Sequence, residues 1–355
     1  MSNIQQSLQH EYHRPTYQTD PNVLVKARSG DASAFELLSE PYRREVLTHC
    51  YRMMGSLEDA EDLVQETFLR AWRRLNTYEG RASFRAWLYK IATNACLDAL
   101  AHRRRRTLPT ITTPPADPQQ PFQPPESEPI WLEPFPDEML APNEASPEVR
   151  FDAHEAVTLS FLVALQSLPA RQRCVLILTD VLEWSLAETA DMLGITMSTV
   201  NSLLYRARAT LQKNYQPHHQ DSFKTTPQDE HLKILLERYV KAWERADIND
   251  IVALLKEDAT FAMPPSPSWY QGSPAIRTLF TTIIMAGDGH DLWRLLPVQV
   301  NGGSGFALYH RENTHTAYQA YAIQSITLDG DLVSNVITFL YPALFRFFNL
   351  AANME

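Results

Sequence analysis

The stretch DAEDLVQETFLRAWRRL (Asp59–Leu75) decides how the rest of the chain is read. Wound at about 100° per residue, it places Val64, Phe68, Ala71 and Leu75 on one side and Asp59, Asp62 and Glu66 about opposite. The spacing predicts an amphipathic helix whose acidic stripe faces away from a core. From spacing alone that stripe reads as a solvated face, favoured by the positive N-terminal end of the helix dipole and by a Glu66–Arg70 pair at i,i+4.

Further along, Asn76–Ser83 (NTYEGRAS) has the glycine and polar content of a loop, and Ser83 can cap a second helix that continues to about Leu100. Phe84, Leu88, Ile91 and Ala95 share one face of it and read as core rather than as base-stacking groups. The chain then runs through His102-Arg103-Arg104-Arg105-Arg106. Four adjacent arginines suit a polyanion, although a solvated charge run carries the same pattern.

A helix-turn-helix pattern occupies Ser185–Leu211. Ser185–Met192 reads as its first helix, Leu193-Gly194-Ile195 as a tight turn with Gly194 at positive φ, and Thr196 as the cap of a second helix. On the second helix Val200, Leu204, Ala207 and Leu211 line the inner side and leave Ser198, Ser202 and Tyr205 outward, with Arg206 toward that side. A bland amphipathic hairpin shares this pattern with a reader of duplex DNA.

The chain has 355 residues and a hydrophobic fraction of 44%, enough for several soluble cores. Its net charge of −10 is unevenly spread: residues 20–106 carry 15 Lys/Arg against 12 Asp/Glu, residues 107–150 carry 1 against 8, and residues 229–355 carry 9 against 14. The first block can therefore meet nucleic acid although the average charge opposes it. Cys50, Cys96 and Cys174 are odd in number and far apart in sequence, which indicates neither a disulfide framework nor a structural zinc and fits a reducing cytosol. MSNIQQSLQHEYHRP at the N-terminus has no apolar core flanked by basic residues, and no uninterrupted apolar run is long enough to span a membrane.

Residues 107–150 hold 12 of the 24 prolines and read as an extended, polyproline-tending linker that packs into neither neighbour. Trp131, Leu132, Phe135, Met139 and Leu140 within it either dock in a groove on a partner or are chance apolar residues in a disordered tether. A shorter break at Gln216–Gln228 isolates the C-terminal third.

DAEDLVQETFLRAWRRL followed by FRAWLYKIATNACLDALAHRRRR (Phe84–Arg106) resembles the second region of the extracytoplasmic-function class of bacterial RNA polymerase sigma factors. SLPARQRCVLILTDVLEWSLAETADMLGITMSTVNSLLYRARATL (Ser167–Leu211) resembles the fourth region of the same family nearly throughout. The resemblance implies that Asp59, Glu61, Asp62, Gln65 and Glu66 contact the clamp helices of the polymerase β′ subunit, which replaces the salt-pair reading of that face. It implies that Tyr78, Arg81, Ser83, Lys90 and Asn94, with Arg103 and Arg104, lie near the melted non-template strand of the minus-ten element. Single-strand capture needs a polar pocket for base edges and positive charge for the backbone, and this segment has both. Ser198, Thr199, Asn201, Ser202, Tyr205, Arg206 and Arg208 are the expected minus-thirty-five contacts. Family members usually show a basic residue where Asn201 sits and often another at Leu203, so this helix is expected to make fewer phosphate contacts and to bind DNA weakly by itself.

The C-terminal third opens with a helical pattern (Leu232, Leu236, Tyr239, Val240, Trp243), a short helix near Asp250–Leu255 and another near Ala275–Met285. Strand-like runs follow at Leu295–Val300, Gly305–Arg311, Ala317–Leu328 and Leu332–Leu340, with Asp329-Gly330 as a hairpin turn. Helices followed by a meander predict an α+β fold with a curved sheet around a hollow. LLERYVKAWERADINDIVALLKEDATFAMPP (Leu235–Pro265) resembles the SnoaL-like, cone-shaped α+β barrels, many of which bind or transform small molecules. Trp243, Phe261, Met263, Trp269, Trp293, Tyr309 and His310 either line such a hollow or form plain core. Asn301–Gly305 (NGGSG) is a strand-connecting turn, or a regulatory contact to the helical domains.

The expected fold class is multidomain: two all-α sigma domains, the second with the helix-turn-helix, and a C-terminal SnoaL-like α+β barrel. The expected divisions are 20–106, the linker 107–150, 151–216, the connector 217–228, and the barrel 229–345. The expected function is that of a non-enzymatic, cytoplasmic sigma factor, nucleoid-associated in holoenzyme. Its partners would be the core polymerase β′ and β subunits and promoter DNA, both duplex and melted strand, with no cofactor, no metal and no membrane. Its barrel would pack on one or both helical domains and set their spacing, with a small-molecule ligand of the barrel left open. An enzymatically active barrel and an ordinary helix-turn-helix repressor or activator are the alternatives.

Overall fold

The computed structural model describes residues 20–101, 105–125, 131–140, 156–214, 230–286 and 290–355. The connector expected at 217–228, and Arg103 and Arg104 of the arginine run, lie outside the described residues.

The first helical domain contains α1 (Pro21–Arg28), α2 (Ala32–Ser39), α3 (Arg43–Met54), α4 (Leu57–Arg74) and α5 (Phe84–Leu100). Helix α3 is the central rod, buried at every residue from Val46 to Met54. Its polar members are hydrogen-bonded: His49 Nε2 lies 2.9 Å from Thr93 Oγ1, and Arg52 Nε donates to the Ala156 carbonyl at 3.2 Å. Val64, Phe68 and Ala71 on α4 and Leu75 just past its end are buried as their spacing predicts, and so are Phe84, Leu88, Ile91 and Ala95 on α5. Ser83 Oγ accepts the Ala86 amide at 3.1 Å, so α5 starts at the expected cap.

The second helical domain contains α6 (Leu159–Ser167), α7 (Ala170–Leu176), a widened π-helical turn over Ile177–Val181, α8 (Leu186–Leu193) and α9 (Met197–Asn214). A capping box starts α8: Ser185 Oγ accepts the Glu188 amide at 3.2 Å and Glu188 Oε2 accepts the Ser185 amide at 2.9 Å. Gly194 ends α8 at φ 63°, a left-handed position that glycine occupies without steric cost. Thr196 then caps α9 by accepting the Thr199 amide at 3.2 Å.

The C-terminal domain opens with α10 (Glu230–Glu244) and α11 (Ile248–Ala253). Strand β1 (Leu255–Ala262) then begins where the second helix was expected to end, and β2 (Trp269–Gln271) is a further strand that sequence periodicity did not reveal. After α12 (Ser273–Leu279) come β3 (Trp293–Val300), β4 (Gly303–His310), β5 (Tyr318–Asp329) and β6 (Leu332–Phe339), close to the expected meander. A short β7 (Asn353–Met354) pairs with β5, and the sheet order is β2-β1-β6-β5-β4-β3. Neighbours are antiparallel except β1 and β6, which run parallel.

Alternation along the strands divides the sheet into two faces. Phe306, Leu308, Ala322 and Val336 point inward with Tyr239, Trp243, Phe261 and Phe280. Ala307, Tyr309, Ile323 and Ile337 point outward and join one continuous core with both helical domains and with Leu344, Phe345, Phe347 and Phe348. Aromatic rings pack on the inner face. Trp243 meets Phe280 and Trp293 edge-on at 5.2 and 5.4 Å, Tyr239 stacks on Phe306 at 5.6 Å, and Phe261 meets Phe280 at 5.4 Å. Of the expected lining residues, Tyr309 faces the other way, its hydroxyl donating to the Ala351 carbonyl at 2.8 Å, and the Trp269 indole donates to the Thr113 carbonyl at 2.8 Å.

The linker departs most from its sequence reading. Trp131–Asp137 and Leu140 are all buried and Met139 is half-buried, so this segment packs into its neighbours instead of spanning between them. Polyproline-like composition denies it periodicity, but its unpaired main-chain groups are free to bond to other elements. The linker comes close to α3 at Gly55, whose φ of 72° ends that helix and where an added Cβ would stand 2.5 Å from Leu132 Cδ2.

Candidate polymerase and nucleic-acid interface

Helix α4 is set by its N-terminus. Ser56 Oγ accepts the Asp59 amide at 3.1 Å and donates to Glu133 Oε1 at 2.9 Å, while Glu133 Oε2 accepts the Leu57 and Glu58 amides at 2.8 and 3.3 Å. A linker carboxylate therefore sits on the positive end of the helix. Burial pushes the Glu133 carboxyl up, against Arg106 and these donors, which act the other way. Arg106 Nη2 reaches Asp59 Oδ2 at 2.8 Å and its Nη1 donates to the Trp131 carbonyl at 2.9 Å.

That arrangement splits the acidic stripe. The Asp59 side chain is only 14% exposed and is held by Arg106, so Asp59 is part of the internal joint and does not belong to an open docking face. Asp62 and Gln65 are exposed, and Glu61 and Glu66 are half-buried. Glu66 also pairs with Arg70 at 2.6 Å, the i,i+4 bond its spacing predicted. Arg346, from the 3-10 helical segment Pro342–Phe348, lies 3.5 Å from Glu58 and 3.8 Å from Glu61. The C-terminal domain thus touches the same stripe at its N-terminal end.

Of the minus-ten candidates, Tyr78, Arg81, Ser83 and Lys90 line a cavity of about 460 Å³ formed by Thr77–Ser83, Ala86, Trp87 and Lys90 on one side and by Glu188, Asp191 and Met192 of α8 on the other. Tyr78 is buried, its ring 5.6 Å from Phe84 and 5.3 Å from Trp87, and its hydroxyl closes the loop on the Ala82 carbonyl at 2.9 Å. It shapes the loop at the cavity wall. Arg81 is exposed and pairs with Glu79 at 2.6 Å. Lys90 Nζ donates to the Asp191 carbonyl at 3.0 Å, which ties the two helical domains together across this cavity. Asn94 Nδ2 donates to the Lys90 carbonyl at 2.9 Å. Of the arginine run, Arg105 is exposed and donates to the Ser167 carbonyl at 2.5 Å, while the buried Arg106 joins the linker.

The minus-thirty-five candidates are presented differently. Ser198, Thr199, Asn201, Ser202, Tyr205, Arg206 and Arg208 are all exposed along α9, while Val200, Leu204 and Ala207 are buried behind them. Tyr205 is 77% exposed, which places its ring where a groove would meet it. Arg208 is engaged by both oxygens of Asp180 at 2.8 Å, so the free cation of this face is Arg206 among the candidates.

Sequence reasoning missed Glu133 and Arg346, which join parts of the chain, whereas Asn301 lies in the stretch read as a strand-connecting turn or a contact to the helical domains. Only Asn301 had a local signal, the Asn-Gly pair of a tight turn; it takes φ 52° and bonds to α3, to the linker and to the lead-in of α6. The three cysteines are free and buried. Among the described residues no helix is long and apolar enough to cross a membrane and no His/Cys/Asp/Glu cluster could hold a metal ion.

Comparison with known proteins matches residues 38–106 to Sigma-70 region 2, residues 158–211 to Sigma-70 region 4, and residues 236–336 to the SnoaL-like domain. The ECF RNA polymerase sigma factor SigG of Mycobacterium tuberculosis is 45% identical over 325 residues, 91% of this chain and 85% of its own. SigW, an ECF RNA polymerase sigma factor of Bacillus subtilis, is 29% identical over 192 residues, 54% of this chain and 93% of its own. The crystal structure of the Mycobacterium tuberculosis extracytoplasmic function sigma factor SigJ covers 89% of this chain and 99% of its own with a TM-score of 0.52 at 22% identity, a likeness of fold.

Proposed function

The chain belongs to the ECF RNA polymerase sigma factors, and from that premise we propose how its surfaces divide the work of promoter-specific transcription initiation. Core RNA polymerase docks on the acidic stripe of α4 through Asp62, Gln65 and Glu66, with Glu61 at its edge and Asp59 acting from within. The clamp helices of β′ are the contact on this face, and β meets the second helical domain. The observation that supports this choice is that Asp62 and Gln65 stand open to solvent beside the half-buried Glu66, which suits electrostatic pairing with a basic helix.

The loop Thr77–Ser83 with Lys90 and Asn94 receives the melted non-template strand of the minus-ten element, Arg103 and Arg104 adding charge for its backbone. Because α8 walls the same cavity, strand entry requires the Lys90 tie to part. Helix α9 reads the minus-thirty-five duplex with Ser198, Thr199, Asn201, Ser202, Tyr205 and Arg206, Arg208 bracing it through Asp180. With Arg208 paired to Asp180 and Arg206 the other cation among these residues, its binding alone is weak and specificity is realised in the holoenzyme. The divisions follow the functional boundaries 20–106, 107–150, 151–216, 217–228 and 229–345.

We read the barrel as a regulatory body. Its ring-packed interior supports that reading over a second enzymatic activity, and His310, whose pKa burial lowers against the opposing charge of Glu312, meets the Trp293 and Tyr321 rings. The protein works where polymerase is, in the cytoplasm and on the nucleoid once in holoenzyme. The deciding experiment is a pull-down with core polymerase followed by run-off transcription using Asp62→Asn with Glu66→Gln. Assembly should weaken by about tenfold or more; assembly as strong as the parent refutes the docking surface.

A further inference from the structure

Resting on α9 as the reader of the minus-thirty-five duplex and going beyond it, we infer that Met197 is a specificity-determining residue of that helix. Its thioether side chain reads the C5-methyl group of a thymine, and together with Asn201 one turn further on it tunes α9 to an adenine–thymine pair.

Helix α9 carries apolar residues on two sides. Val200, Leu204 and Ala207 are buried, and the nearby Leu193, Ile195, Leu203 and Leu211 pack against the continuous core. Met197 does not follow them. It opens the helix and is 51% exposed, leaving in water apolar area whose burial would have stabilised the fold. A single exposed apolar side chain needs no function. This one stands in line with Asn201 and Tyr205, at i+4 and i+8 along the helix, and both of those are exposed on the side that meets a groove.

Several polar groups of the same surface already bond within the chain. The Thr196 and Thr199 hydroxyls lie 2.9 Å apart, Ser202 Oγ donates to the Ser198 carbonyl at 3.0 Å, and Arg208 holds Asp180 at 2.8 Å. Readout by Met197, Asn201 and Tyr205 requires none of these bonds to break. In the major groove thymine alone projects a methyl group, and its adenine partner offers N7 and the N6 amino group to the two ends of an asparagine amide. One helical turn advances about 5.4 Å and one base-pair step about 3.4 Å, so side chains four residues apart reach the same pair or its neighbours. The methionine chain is unbranched with three rotatable bonds, which lets it settle on the methyl group without a fixed approach. Apolar readout also suits a helix with few cations, because it adds discrimination without adding phosphate contacts.

The test removes the methyl group and nothing else. Holoenzyme assembled from core polymerase and the full chain selects its minus-thirty-five element from a promoter library randomised over that element. Each thymine of the selected element is then replaced in turn by deoxyuridine, and binding is measured by competition. Covering one methyl group is worth about fourfold in affinity, so the parent should bind about fourfold more weakly when one particular thymine loses its methyl. Met197→Ala should bind the thymine and deoxyuridine duplexes alike, near the parent's affinity for the latter, and Met197→Leu should restore part of the preference. A damaged helix would weaken all duplexes together, whereas this loss is confined to one thymine and should leave the melting temperature within about 2 °C of the parent. A selected element without thymine, a parent indifferent to every methyl, or a methyl preference that survives in Met197→Ala overturns the inference while the reading of α9 stands. A library that gains no minus-thirty-five preference refutes that reading itself, and the inference with it.

Discussion

Replacing Arg106 with methionine tests the joint beneath α4. The guanidinium is 8% exposed and bonds Asp59 at 2.8 Å, with Glu133 at 3.5 Å; the two carboxylate side chains are 14% and 9% exposed. Arg106→Met fills similar volume but leaves both carboxylates without their cation. Removing one partner of a buried ion pair costs about 3–5 kcal/mol. Glu133 keeps its bonds to Ser56, Leu57 and Glu58, so the lower end applies, about 3 kcal/mol. With a urea slope of about 3 kcal/mol/M the unfolding midpoint drops by about 1 M. The loss should carry a pH signature. Burial already raises the Glu133 carboxyl and Arg106 opposes that rise, so without Arg106 it rises further. A carboxyl whose folded value lies above its unfolded value favours the folded state when protonated, so the deficit of the variant should shrink as pH falls through the range just above the ordinary glutamate value. Adding Asp59→Asn and Glu133→Gln to Arg106→Met should recover at least half of the loss. Urea titrations at neutral and acidic pH decide the matter. A loss under about 1 kcal/mol that does not vary with pH would mean that the pair behaves as a surface contact, and the reasoning would be wrong.

Two other outcomes are expected. Arg206→Ala should weaken minus-thirty-five recognition by about 1–3 kcal/mol while shifting stability by no more than about 0.5 kcal/mol, as seen by comparing holoenzyme binding to intact and altered minus-thirty-five duplexes with a thermal melt of the variant. Burial, with Arg52 and Arg85 beside it, holds His49 neutral and lowers its pKa from 6.5 to about 3; a depressed folded value means that its contribution is complete above the unfolded value and is lost as pH falls toward the folded one. Between pH 8 and pH 5 the unfolding free energy should drop by about 2 kcal/mol through this group, and His49→Gln should flatten that dependence in parallel urea titrations.

Helices α4, α5, α8 and α9 were legible because their caps and apolar spacing are local: Ser83, Ser185, Gly194 and Thr196 act within a few residues of where they sit. Strand β1 was not, since Lys256, Glu257 and Asp258 interrupt its alternation and its parallel neighbour β6 lies far away in sequence. Parity decided the barrel aromatics. Phe306 and Tyr309 belong to one strand, but which one faces inward follows from pairing register, and that is set between strands. Asp59 and Asp62 share the same arc of α4, and it is Arg106, itself bonded to the linker at Trp131, that tells them apart. The linker itself offered no period to read, because it is held by main-chain bonds to distant loops.

The guanidinium of Arg173 has a consequence for how the two helical domains stay together. It is 2% exposed and donates to the carbonyls of Leu165, Gln166, Leu168 and, at the end of α3, Met53, and among the described residues it meets no carboxylate. Burial lowers its pKa to about 10, which still leaves it charged at neutrality. Dipoles in a dry seam are shielded little by dissolved ions, whereas the exposed meeting of Arg346 with Glu58 and Glu61 is shielded readily. The molecule therefore has one fastening that ignores ionic strength and another that yields to it, so a rise in salt would release Arg346 from α4 while the apolar packing of Leu344, Phe345 and Phe347 and the clasp of the two heads remain.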